Sequence, residues 1–266
     1  MLINSVIIVL REVIEAALLI SVLLAVSRRL QLSVRWAPVA LIAGAVGAAL
    51  YASLLDSVSE LFDGVGQELI NALMQVCISA LLVVIVLLVA RRRERLGGPS
   101  TALIGLMAIS VALATIREGS EIIVYVIGFV TIESHRASVL LGSLTGAGIG
   151  FSVGVLLYYL LLAMRVSHAL WVSLTLLALA ASSMCAQAAK LLIQADWLPS
   201  GAPLWDTSAL ITEQSMVGQF LYALIGYEAT PSAIEVVAYF GSIGIIIASA
   251  LAGWFVFRTS AEETSG

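Results

Sequence analysis

The chain has 266 residues, 61% of them hydrophobic and 11% charged, with a mean hydropathy of +1.08. Such values exclude an ordinary soluble domain and define an all-α polytopic membrane protein. The formal net charge of -4 says little as a total, so its distribution along the chain carries the argument.

Apolar runs of about 20 residues or more, long enough to span a hydrocarbon layer, fall at about 3–26, 36–55, 69–90, 101–131, 137–163, 169–195 and 232–257. Seven transmembrane helices are therefore expected in one membrane domain, 1–266. The first run has no basic leader and carries charges within it, so it reads as a retained helix and not a cleaved signal peptide. Between the second and third runs lies an acidic connection with Asp56, Glu60, Asp63 and, at the start of the third helix, Glu68. An acidic loop at an entrance concentrates cations, although it serves equally well as a solvated surface. Cys77 and Cys185 sit in apolar runs, where ordinary core thiols are the expectation. After the sixth helix, the connection 196–231 holds Trp197, Trp205 and Tyr227, aromatics suited to a membrane interface. Its middle, Ser208 to Tyr222, has helical apolar periodicity and is expected along the outer surface. Pro231 then opens the seventh helix at 232–257, with Glu235 one turn in, and the tail 260–266 is short and polar.

Arg28, Arg29 and Arg35 follow the first helix, Arg91, Arg92, Arg93 and Arg95 the third, Arg165 the fifth and Arg258 the seventh. All fall on one side if every span is real, while the acidic residues gather on the other. The positive-inside rule then puts the amino terminus outside and the carboxyl terminus inside.

Two clusters interrupt the apolar pattern. Arg11-Glu12-Val13-Ile14-Glu15 in the first helix and Arg117-Glu118-Gly119-Ser120-Glu121 in the fourth share the pattern Arg-Glu-x-x-Glu. At about 100° per residue the three charges of each cluster occupy one helical stripe. Charges at membrane depth cost about 2.5–3.5 kcal/mol each, so they must be paired, hydrated or bound to something. Arg11 with Glu15 and Arg117 with Glu121 have the spacing for pairing within a helix. Four carboxylates against two guanidiniums still leave an anionic excess, which a purely structural clamp would not need. Two spans separate the clusters' helices, so these run in opposite directions. This is the pattern of a 3+3 inverted repeat, with halves at about 1–95 and 100–195, an outer connection and one further helix. Such repeats hold their binding sites at mid-membrane, where the halves meet.

Glu12, Glu15, Glu118 and Glu121 form an all-oxygen donor set that suits hard cations, ferric iron among them, while calcium, magnesium and manganese also fit oxygen ligands. Arg11 and Arg117 would keep the carboxylates ionised when the site is empty. His135 and His168 are the only histidines, too few for a haem or multicopper centre or a histidine-dependent enzyme. No enzymatic activity, permanently bound cofactor or nucleic-acid partner is expected, and any redox step belongs to a partner.

The paired Arg-Glu-x-x-Glu motifs, the segment Asp63-Gly64-Val65-Gly66-Gln67-Glu68, the segment Leu204-Trp205-Asp206-Thr207-Ser208, and Gly226-Tyr227 and Pro231-Ser232 resemble the high-affinity iron permease family over nearly the whole chain. The resemblance implies iron uptake across a cytoplasmic (inner) membrane, with Glu12, Glu15, Glu118 and Glu121 as the iron path and Arg11 and Arg117 essential beside them. It also implies partners outside the membrane: an iron oxidase or peroxidase and an accessory iron-binding protein. Two positions depart from the family pattern. Val13 replaces the glycine that Gly119 keeps in the second motif, and Asn71 replaces a second acidic residue in the third helix, leaving Glu68 alone. Rival readings are a carrier for manganese, another divalent ion or a cationic amino acid, and a membrane scaffold or sensor that does not transport.

Overall fold

A computed structural model describes residues 1–92 and 101–263, with side chains described over 1–90 and 101–249. The basic cluster Arg91, Arg92, Arg93 and Arg95, together with Arg258 and the tail 260–266, lies outside the described side chains. Among the described residues the chain is helical, apart from turns and a single isolated β-bridge between Pro203 and Ser232. The helices are α1 (Leu2–Arg29), α2 (Trp36–Ser53), α3 (Leu55–Ser59), α4 (Gly66–Arg92), α5 (Thr101–Val130), α6 (Glu133–Ala163), α7 (Val166–Gln194), α8 (Met216–Ile225) and α9 (Ala233–Glu263), with a 3₁₀ turn at Leu61–Gly64.

Five of these, α2, α4, α5, α6 and α7, are long and apolar enough to cross a membrane. Helix α1 is 28 residues long but carries Arg11, Glu12 and Glu15 in its middle. Helix α9 spans 31 residues, of which the apolar portion with described side chains is Ala233–Ser249. The chain is therefore a multi-pass membrane protein.

Packing shows how the long helices run. Glycines of α6 at every fourth position, Gly142, Gly146, Gly150 and Gly154, face Ser5, Val6, Val13 and Ala17 of α1 in the same numerical order, so the two helices are parallel. Helices α2 and α5 are likewise parallel, with Gly44 against Thr115 and Ala48 against Gly119. In contrast, Ser5 meets Tyr125 and Glu15 meets Arg117, so α1 and α5 are antiparallel. Gln75 meets Gln187 and the Ser79 hydroxyl donates to Ala181 O, which makes α4 and α7 antiparallel too. The dominant packing pairs are thus α1 with α6, α2 with α5 and α4 with α7. Exchanging the set α1, α2, α4 for α5, α6, α7 maps these pairs onto one another.

Small residues on one member of each pair let the backbones approach, which is the membrane solution to packing without a hydrophobic driving force. The Met1 end of α1 shares one side of the bundle with the ends of α2 and α5 and the start of α4. Arg29 reaches the opposite side, where its Nη2 donates to the carbonyls of Leu161, Leu162 and Met164 and caps α6. The largest buried apolar cluster, including Leu23, Ile78, Leu82, Ile85, Met107 and Leu177, fills the half of the bundle toward that Arg29 end.

Helix α8 leaves Met216, Val217, Phe220 and Ile225 exposed and packs its other face on α1. Its Ala223 and Leu224 pack against Leu10, Ile14 and Leu18 of α1, level with the first charged motif. Ser215 caps its start, accepting from Gly218 N at 3.0 Å, and Gly226 ends it in the left-handed region with φ 69°. A side chain at Gly226 would meet the Ser183 Oγ at 2.7 Å, so conformation and close approach both require glycine here. The start of α9 is a capping box: Ser232 N donates to Glu235 Oε2 at 2.7 Å, and Pro231 precedes the cap instead of opening the helix.

Candidate metal centre

Both Arg-Glu-x-x-Glu motifs face one another where α1 and α5 cross. Carboxylate oxygens of Glu12, Glu118 and Glu121 lie within 4.8 Å of one another, roughly twice a metal–oxygen bond of ~2.1–2.6 Å. Glu12 is 4% exposed and Glu118 2%, and Oε2 of each has no hydrogen-bond partner among the described atoms. Leaving two buried carboxylate oxygens unpaired is costly unless something binds them, and a hard cation is the natural partner for such atoms.

Glu15 stands apart from that trio. It takes contacts from Arg11 Nε at 3.3 Å, Arg117 Nη1 at 3.4 Å and Gln187 Nε2 at 3.4 Å. Arg117 is the hub of the site, buried and paired also with Glu118 at 2.5 Å and Glu121 at 3.3 Å. Arg11 is looser, with its side chain 31% exposed, 3.8 Å from Glu12, and its guanidinium 4.3 Å from the centre of the Tyr222 ring on α8. The Tyr222 ring thus gives Arg11 a cation–π contact in addition to its two carboxylates.

Two glutamines that sequence reading passed over complete the network. Turned so that its oxygen accepts, the Gln75 carboxamide lies 3.1 Å from both Nε and Nη1 of Arg117. The Gln187 carboxamide lies beside it, next to Ser183 and Glu15. The signal was present as an amide in the middle of each of two apolar runs, since an uncharged polar side chain buried at that depth needs a partner. Tyr222 had no such signal, because its helix reads as amphipathic wherever it packs.

The cation cluster borders two unlike spaces. A cavity of about 330 Å³ on the Met1 side is lined by Tyr51, Gln67, Glu68, Asn71, Ser120, Glu121 and Tyr125. Of the four expected entrance residues it holds Glu68 alone; Asp56, Glu60 and Asp63 are exposed on the segment before α4. Asn71, the departure noted in sequence, is buried in the same cavity and accepts from the Tyr51 hydroxyl at 3.2 Å. On the other flank of Glu12 and Glu118 lies a cavity of about 530 Å³ whose lining is nearly all apolar. Its Ser21 and Thr115 hydroxyls are spent on the carbonyls of Gly154 and Val111. Beyond Glu15, toward the Arg29 end, there is only about 30 Å³ between Leu18, Val22, Leu176, Leu177 and Met184.

The other Val13 departure also has a structural answer. Val13 packs on Gly150 of α6, where an added Cβ would sit 2.8 Å from Val13 Cγ1, while in the second motif Gly119 faces Ala48 of α2, whose Cβ lies 3.0 Å from the Cβ that Gly119 lacks. The glycine has moved to the opposite helix and the close approach is kept.

Cys77 is exposed on the helix surface and Cys185 half-buried, and both are free thiols, so the core-thiol expectation fails for Cys77. Near the end of α7, Lys190 pairs with Glu228, whose carboxyl is pushed up by burial against the pull of that lysine. The exposed Asp206 is held below its usual range by the Ser208 amide, which donates to it at 2.9 Å.

A helix bundle with several membrane-length helices and a buried carboxylate trio that could hold a metal ion defines the class, a multi-pass membrane protein. The model of the iron permease FTR1 family matches residues 2–262, and the chain belongs to that family. Membership makes it an iron permease, a transporter of the multi-pass class. No curated protein and no solved structure matches the chain.

Proposed function

We propose that the protein imports iron across a cytoplasmic membrane, taking it from the Met1 side and holding it at Glu12, Glu118 and Glu121. The observation that carries this reading is the pair of unpartnered, buried carboxylate oxygens facing one another across antiparallel helices. In this reading α1 and α9 cross the membrane with α2, α4, α5, α6 and α7, giving seven spans with the amino terminus outside. Arg28, Arg29, Arg35 and Arg165 then face the cytoplasm, as the charge rule requires.

The cavity holding Glu68 is the outer vestibule, and the exposed Asp56, Glu60 and Asp63 gather cations before it. Toward the Arg29 end the space beside Glu15 is filled by the apolar cluster, and the cavity reaching Ile20, Leu24 and Leu41 is almost wholly apolar, so the polar approach to the site is from the vestibule and the conformation faces outward. Release follows when the two halves rearrange around the site.

Ferric iron suits the oxygen donors and the anionic excess, and it would be supplied by an oxidase or peroxidase outside, with an accessory protein delivering it. Membrane lipid surrounds the bundle. The protein holds no permanent cofactor, since iron is cargo, and it catalyses no reaction. Iron at the trio would be held by carboxylate oxygens, with Arg117 fixing Glu118 and Glu121 in place. Manganese or another hard cation would bind the same oxygens, and competition separates these cargoes. A scaffold role is disfavoured because the trio's free oxygens would serve no purpose in a clamp.

Uptake of radioactive iron into cells carrying Glu118→Ala is the direct test. Loss of at least about tenfold, with unchanged membrane expression, supports the reading; uptake equal to wild type overturns it.

A further inference from the structure

The two motifs are equivalent in sequence but unequal in the structure. Their helices are antiparallel, and Glu12 corresponds to Glu118, Glu15 to Glu121 and Arg11 to Arg117. Glu12 and Glu118 behave alike: both are buried and each keeps one unpartnered oxygen. Glu121 and Glu15 do not. Glu121 joins the trio, keeps one contact to Arg117 Nη2 at 3.3 Å, has its side chain 32% exposed, and opens onto the 330 Å³ vestibule. Glu15 has its side chain 5% exposed, is drawn off the trio by Arg11, Arg117 and Gln187, and borders the 30 Å³ space.

We infer that Glu15 and Glu121 are alternating third ligands for one cation. Glu12 and Glu118 hold the ion throughout; Glu121 completes the site when it faces outward and Glu15 when it faces inward. The inference rests on the permease reading and deepens it.

The argument is one of symmetry. A repeat whose halves pack as α1 with α6, α2 with α5 and α4 with α7 can adopt a second arrangement in which the halves exchange roles. Exchange carries Glu15 into the trio, draws Glu121 onto Arg11 as well as Arg117, closes the vestibule and widens the space beside Glu15. No net charge enters or leaves the site, because in each arrangement one of these carboxylates is held by both guanidiniums while the other keeps one and faces the cation. Gln187 and Gln75 are positioning residues in this scheme. Gln75 accepts from Arg117, and Gln187 lies between Gln75 and Glu15. Amides change partners without a change of charge, so the contact can follow the exchange. Helix α8 has no counterpart in the first half. Its Tyr222 holds Arg11 in the outward-facing arrangement, and its Ala223 and Leu224 wall the space beside Glu15.

The test compares Glu121→Gln with Glu15→Gln in two measurements: binding of ⁵⁵Fe ferric citrate to purified protein, and ⁵⁵Fe uptake by cells. The expected result is that Glu121→Gln weakens binding at least tenfold and abolishes uptake. Glu15→Gln keeps binding within about threefold of wild type yet loses uptake at least tenfold, as loaded protein that cannot discharge. If Glu15→Gln does not accumulate, Glu15→Asp is judged by the same criteria, since it keeps the charge opposite both arginines but withdraws the carboxylate by one methylene. Equal loss of binding in both variants, or uptake by the Glu15 variant near wild type, overturns the exchange while leaving the permease reading intact. Wild-type protein that neither binds nor imports iron overturns both.

Discussion

Gly150 and Val13 show how a single contact can be conserved in volume while its sequence changes. An added Cβ at Gly150 would lie 2.8 Å from Val13 Cγ1. Gly150→Ala alone should therefore overpack α1 against α6, costing about 1–3 kcal/mol, of which better helix propensity returns about 1 kcal/mol. With Val13→Gly in the same chain the clash is gone, and the double variant should be more stable than the two single effects sum to. Thermal unfolding in detergent measures this as a double-mutant cycle, and strict additivity would contradict the contact. Gln75 gives a second prediction at this scale. Gln75→Leu strips Arg117 of an acceptor inside the bundle, a hydrogen bond to a charged group worth about 1.5–3 kcal/mol. Lower thermal stability and slower iron uptake are expected together; unchanged stability would mean that Arg117 does not lean on the amide.

Elements were legible in the sequence to different degrees, for physical reasons. The long helices fall within a few residues of the apolar runs because a span must satisfy every backbone group internally. Opposite directions for α1 and α5 followed from counting spans. The contact of α8 with α1 was not legible, because apolar periodicity marks a face without saying what covers it, lipid or another helix. The charged motifs announced themselves by cost, whereas the partition of their carboxylates into a trio and a separate Glu15 depends on which arginine each oxygen meets, and spacing along one helix cannot show that. Gly226 marks where α8 stops, since a glycine after an apolar decapeptide can end a helix in the left-handed region. Tyr222→Leu should free Arg11 and lower the uptake rate, and Tyr222→Phe should restore it by keeping the ring over the guanidinium, a contact worth about 0.5–2 kcal/mol. Phe behaving like Leu in the uptake assay would assign the effect to the hydroxyl instead.

At the scale of the molecule, the antiparallel halves put the vestibule and the basic end on opposite faces. Orientation is testable by labelling single cysteines with a membrane-impermeant maleimide in a background of Cys77→Ala and Cys185→Ala. Ser57→Cys, in the acidic connection, should react in intact cells, and Ser33→Cys, between α1 and α2, only after permeabilisation; the reverse pattern would invert the protein and send the vestibule inward. Everything the bundle does in this account depends on a cation resting between α1 and α5. Anomalous scattering collected at the iron edge from iron-soaked crystals locates that ion directly. The account predicts a peak coordinated by Glu12, Glu118 and Glu121 in an outward-facing crystal. A peak at Glu15 with that trio empty, or iron found only at the surface acidic segment, would contradict it.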